Sequence, residues 1–263
     1  MPSLALDNGS TAPSGGPAVW LARRLDESAL GDIARGLNHA ERRRLGTIRM
    51  KADRERFLTG RALARYGLCQ ASGNFADPAS WRFVIGANGK PVVEAPRRDM
   101  HFSIAHAGDA IVVAVDPHRQ VGVDVERLDI ASGAEVVADV LSPGDSRKLG
   151  NCPPAKRGRE FLKLWTIKEA YAKRSGEGVG MDFAGLDVEW LPDRPDQRIV
   201  TATCVIDVRT VVTSFGVYSV AVASESLRDA PLLINFANLT TKMHELQKNC
   251  TYNVSSASMG MRP

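Results

Sequence analysis

The chain alternates between stretches of helical and strand periodicity. Residues 27–71 carry apolar positions at helical spacing, and Phe57, Leu58, Leu63, Ala64 and Leu68 predict one buried stripe. Trp81 to Ile85 reads as a strand, and Asn88-Gly89 marks a turn. The run Ile111-Val112-Val113-Ala114-Val115 predicts a buried strand that Pro117 ends. Val121 to Glu126 predicts another strand, and Ala134 to Leu141 a short helix. A loop rich in Pro, Lys and Arg around residues 150–158 leads into a strong helix from Glu160 to Arg174, closed by Gly176, Gly178 and Gly180. Val200 to Val212 and Phe215 to Ala223 predict two further strands.

Helix-then-strands thus occurs twice. The pattern predicts an α+β chain of two halves, 18–118 and 119–226, with a seam near residues 116–121. Residues 1–17, rich in Gly, Ser and Pro, predict a flexible tail. Residues 227–263 shift towards Asn, Thr and Ser, and composition leaves open whether they dock or hang loose.

The length of 263 residues is enough for a real core, and 44% hydrophobic with 24% charged residues is ordinary for a globular chain. The four cysteines are scattered, with no C-x-x-C pair, which argues against a zinc site or disulfide framework. No apolar run approaches a membrane span, and the N-terminus lacks the pattern of a signal peptide. The expectation is a cytoplasmic protein without membrane partners.

Net charge is only +4, but its distribution is uneven. Arg42, Arg43, Arg44, Arg49, Lys51, Arg54, Arg56, Arg61 and Arg65 crowd one region. Three readings suit it: a solvated helix face, a nucleic-acid surface, or a site for a small polyphosphate. Aromatics for base stacking are sparse there, and charge does not rank the last two.

Candidate chemistry lies in three segments. In Val121-Gly122-Val123-Asp124-Val125-Glu126, strand alternation puts the valines on one face and both carboxylates on the other. Adjacent carboxylates repel, and a hard cation such as magnesium relieves them; a solvated polar face fits the same spacing. In the helix, Glu169 and Lys173 are four apart and share a face, as any surface ion pair would. Trp165 lies on the same side, which places the pair at the edge of the core. The third segment, His101-Phe-Ser-Ile-Ala-His106-Ala-Gly108, has two histidines at a spacing poor for one metal. A histidine before a glycine turn suits donation to a phosphate.

Together and in this order, G-V-D-V-E, W-x-x-K-E-A-x-x-K and H-F-S-I-A-H-A-G resemble the 4′-phosphopantetheinyl transferases of the surfactin-synthetase type. Gly89-Lys90-Pro91 and Arg54-x-Arg56-Phe-Leu-x-Gly60-Arg61 fit the same order, and the resemblance spans roughly residues 19–224. It implies two pseudo-twofold-related α+β halves with the active site between them. It implies a magnesium-dependent holo-acyl-carrier-protein synthase. Such an enzyme moves the phosphopantetheine arm of coenzyme A to a serine of an acyl or peptidyl carrier protein and releases adenosine 3′,5′-bisphosphate. On this resemblance Asp124, Glu126 and Glu169 match the metal carboxylates, and Glu169 also the base. Lys173 matches the lysine at the pyrophosphate. His106, Lys90 and Arg56 match coenzyme A contacts, with Arg44 near another. Trp165 and Lys168 match positions of structural character. A monomer with no nucleic-acid partner is expected. Two positions depart from the pattern: Ala105 stands where a serine is usual, with Ser103 as a possible substitute, and Asp145 stands near a family glutamate. A basic nucleic-acid module and an impaired carrier-binding homologue are the rival readings.

Overall fold

In a computed structural model, the structure describes residues 16–73, 76–130, 137–225 and 234–239. It is an α+β fold of two sheets. The first has the order β10-β1-β5-β4, built from β1 (Ala18–Arg23), β4 (His101–Ala107), β5 (Ala110–Asp116) and β10 (Ile234–Phe236). The second has the order β6-β9-β8-β7, built from β6 (Val121–Arg127), β7 (Gln197–Val200), β8 (Val205–Thr213) and β9 (Gly216–Ser224). A separate hairpin joins β2 (Arg82–Ile85) to β3 (Pro91–Ala95).

Alternation along the strands explains the layering. On β5, Ile111, Val113 and Val115 join a core with Leu63 and Leu68 of helix α3 (Lys51–Ala71). Val112 and Ala114 point the other way and meet Val121, Val123 and Val125 of β6, with Val220 and Val222 of β9. Ala221 and Ala223 of β9 face a third core with Leu164 and Ile167 of helix α5 (Pro154–Ser175). The two sheets therefore bury one face against each other, and α3 and α5 cover the outer faces.

The helical stretch predicted over 27–71 is interrupted. It holds α1 (Gly31–Arg35), α2 (His39–Thr47) and α3. Asn38 breaks it, because its side chain caps α2: Oδ1 accepts from the Glu41 amide at 2.9 Å while Glu41 caps the Asn38 amide. The predicted loop at 150–158 is corrected too. Helix α4 (Pro143–Asn151) runs into it, and α5 starts at Pro154, where a proline suits the first helical turn, so only residues 152–153 separate the two. Gly176, in the left-handed region at φ 80°, stops α5. Of the helix predicted over Ala134 to Leu141, residues 134–136 lie outside the described residues, and 137–141 hold only a short 3-10 turn at Ala138–Val140. Part of the 227–263 segment docks: β10 pairs in parallel with β1, and Leu239 is buried in the α3 core.

Candidate active site between the two halves

Helix α5 lies against β6 because β6 offers it a glycine. A Cβ at Gly122 would fall on the carbonyl oxygen of Ala170 and the backbone of Arg174. This close approach sets the next positions on the same strand face, Asp124 and Glu126, beside Glu169 and Lys173 of the helix. Lys173 Nζ donates to Asp124 Oδ1 at 2.5 Å and stands 3.9 Å from Glu169 Oε2. Trp165 stacks on Phe183, with ring centroids 5.1 Å apart, on the same side of the helix.

The electrostatics are unfavourable. Asp124 is only 5% exposed, and its Oδ2 is buried with no hydrogen-bond partner among the described residues. Burial pushes its carboxyl up to about 6, against the pull of Lys173 and with a push from Glu169. Burial also lifts Glu126 to about 7, helped by the charges of Asp124 and Glu169. The three acids thus act on one another, and the positive charge they share is one ammonium. Among the described residues, no group of three or more His, Cys, Asp or Glu side chains is assembled so as to hold a metal ion. The orphaned Asp124 oxygen and the mutual repulsion fit a hard oxygen-seeking cation, and Asp124, Glu126 and Glu169 are the groups with the chemistry to bind one.

A cavity of about 610 Å³ opens between the α2–α3 turn and β4. Arg44, Arg49, Arg56, Arg61, Pro91 and His106 help line it. His106 alternates with Phe102 and Ile104 onto the α3 face of β4, which turns it into the cavity. Partial burial and the charge of Arg56, with a smaller effect of Lys173, hold its imidazole below the usual range and so neutral. Arg56 is steadied by Asp53 at 2.6 Å and by the carbonyl of Gly108 at 2.9 Å.

The basic cluster is not one continuous surface. Arg65 is buried and pairs with Glu41 at 2.7 Å, and Arg61 reaches the same carboxylate at 3.3 Å. These arginines lock α2 onto α3. The cavity edge keeps Arg44 and Arg49 as exposed cations.

Four positions singled out in the sequence lie elsewhere. Lys90 does not line the cavity; its ammonium donates to backbone carbonyls of Lys173 and Val121 at 2.6 and 3.1 Å. Ser103 is no substitute for the missing hydroxyl. It lies in the layer between the sheets, where its Oγ accepts from the Val123 amide at 3.1 Å. Ala105 faces that same apolar layer rather than the cavity. Asp145 is structural. It is fully buried, pairs with Lys168 at 2.6 Å, accepts from the Trp190 indole at 2.9 Å and caps the Ser142 amide. Sequence reasoning missed this lock, although Ser142-Pro-Gly-Asp145 has the spacing of a capping box.

A family model described as "4'-phosphopantetheinyl transferase superfamily" matches residues 120–223, which hold both the β6 carboxylates and α5. Over those residues the chain is similar to the 4′-phosphopantetheinyl transferase superfamily. It is similar to a phosphopantetheinyl transferase of a Thraustochytrium species, 32% identical over 158 residues, or 55% of this chain and 54% of the relative. A 4′-phosphopantetheinyl transferase of Bacillus subtilis is 29% identical over 175 residues, covering 66% of this chain and 76% of that protein. One from Nostoc is 28% identical over 172 residues, covering 64% and 71%. The chain thus spans about half the length of the Thraustochytrium protein and about three quarters of the Bacillus one. Among the described residues, no helix is long and apolar enough to cross a membrane.

Proposed function

We propose that this chain transfers the 4′-phosphopantetheine arm of coenzyme A to a serine hydroxyl of an acyl or peptidyl carrier protein, converting apo to holo carrier. The observation that carries the reading is buried Asp124 and half-buried Glu126, repelling each other and set against Glu169 and Lys173, with the charge of Lys173 reaching His106 of a basic cavity. A cation and a polyphosphate together neutralise that arrangement.

In the reaction, the serine oxygen bonds to the phosphorus that carries pantetheine. The bond from that phosphorus to the bridging oxygen breaks, and adenosine 3′,5′-bisphosphate leaves. Attack on a phosphorus surrounded by negative charge is helped chiefly by positioning and neutralisation. Asp124, Glu126 and Glu169 would hold magnesium, which when bound neutralises the pyrophosphate and polarises it as a Lewis acid. Glu169, half-exposed on α5, takes the serine proton. Lys173 exchanges Asp124 for the pyrophosphate and gives the leaving oxygen its proton. Neutral His106 donates a hydrogen bond to a phosphate oxygen, and Arg44 and Arg56 meet the remaining charge from the cavity side.

The test is direct. Incubation with coenzyme A, magnesium and an apo carrier should raise the carrier's mass by one phosphopantetheine. Glu169→Ala should lose the activity, and His39→Ala, outside the cavity lining, should keep it. No mass gain across fatty-acid, polyketide and peptide carriers would reject the reading.

A further inference from the structure

The hairpin β2–β3 belongs to the N-terminal half, yet its tip reaches the C-terminal end of α5. Lys90 Nζ donates to the carbonyl of Lys173 at 2.6 Å and to that of Val121 at 3.1 Å, with Gln120 Oε1 at 3.4 Å. Asn88 Nδ2 donates to the carbonyl of Gly176 at 2.8 Å. The last carbonyls of a helix have no intrahelical partner, and they carry the negative end of its dipole. A cation and an amide supplied from another element satisfy two of them at once.

The placement is specific. Val121 immediately precedes Gly122, where β6 lies so near α5 that a Cβ would collide with the helix backbone. One ammonium therefore ties the strand that carries Asp124 and Glu126 to the helix that carries Glu169 and Lys173. The turn that presents it is held by left-handed residues, Asn88 at φ 57° and Gly89 at φ 81°. The next residue, Pro91, lines the cavity while Lys90 does not. The Gly-Lys-Pro segment thus touches both regions through different residues.

We propose that Lys90 and Asn88 form a clamp from the N-terminal half onto the end of α5, and act as positioning residues that set Glu169 and Lys173 against β6. This role differs from a direct contact between the Lys90 ammonium and coenzyme A. It rests on the transferase reading for its kinetic consequence, but not for its structural one. Burial and the nearby charge of Arg174 pull the Lys90 ammonium down to about 8, so its charge is kept at some cost and is held by its acceptors.

Two variants test it. Lys90→Met keeps the apolar stem and removes the donors. Asn88→Gly removes the amide and tolerates the positive φ. Hydrogen exchange of the amides at 170–176 should accelerate about tenfold in either variant. In steady-state transfer, kcat should fall about tenfold while the coenzyme A KM stays within about twofold. Unchanged exchange at 170–176 would overturn the clamp, as would a KM about tenfold higher with kcat unchanged, which marks a ligand contact. If Lys90→Met does not fold, Asn88→Gly decides on the same readouts. A wild-type protein inactive with every carrier would remove the transferase reading alone, and the exchange result would still judge the clamp.

Discussion

Asp145 and Asp124 are both buried acids of the C-terminal half, and their surroundings are opposite. Asp145 has a lysine, an indole N–H and a backbone amide around its two oxygens. Asp124 has one oxygen on Lys173 and the other on nothing among the described residues. A folding chain satisfies its buried acids where they serve only the fold. An acid left half-satisfied beside two others, with its carboxyl pushed up to about 6, is built for something that comes and goes. The same contrast recurs among the arginines. Arg61 and Arg65 are committed to Glu41, whereas Arg44 stands exposed at the cavity.

The contrast can be broken by mutation. Asp145→Ala strands the Lys168 ammonium in the core, and chemical denaturation should show a loss of about 3–5 kcal/mol. Asp124→Asn should do the reverse: stability is kept or raised, and kcat for carrier modification falls about 10²- to 10³-fold. If Asp124→Asn were the destabilising change, the distinction between the two acids would collapse.

Proton linkage gives a smaller effect. Asp124 and Glu126 hold protons more tightly folded than unfolded, with folded values of about 6 and about 7. The stability these two acids cost is therefore absent below about pH 4 and fully present above about pH 7. Thermal melts of chelated protein should fall across that window relative to a variant carrying Asp124→Asn and Glu126→Gln. Added magnesium, which needs the acids ionised, should raise the melting midpoint more at about pH 8 than at about pH 5.5. A magnesium shift independent of pH would contradict the assignment. The smallest effect belongs to the cavity: Arg44→Ala or His106→Ala should raise the coenzyme A KM about tenfold with little change in kcat.

Much of this was legible in the chain. The period of two along Val121 to Glu126 assigned the valines to the inter-sheet layer and the acids to the opposite face, and the structure has that arrangement. The i,i+4 spacing put Glu169 and Lys173 side by side. Spacing alone did not bring the two segments together, because they lie more than forty residues apart. The ordered motifs did that, and the glycine between them explains the fit. What stayed hidden is what only tertiary packing decides. The strand Gln197–Val200 is short and half exposed, so its apolar signal is weak. The docking of residues 234–239 depends on an open edge at β1. Ala105 drew attention as a missing hydroxyl, yet its side chain belongs to the apolar layer between the sheets.

The central claim is that the mutually repelling acids of β6 serve transfer from coenzyme A. The most direct measurement is the intact mass of an apo carrier after reaction with magnesium and coenzyme A, run in parallel with wild type, Glu126→Gln and Asp145→Asn at a temperature where all three remain folded. The account predicts a phosphopantetheine mass gain for wild type and for Asp145→Asn, and almost none for Glu126→Gln. Equal modification by wild type and Glu126→Gln would contradict it.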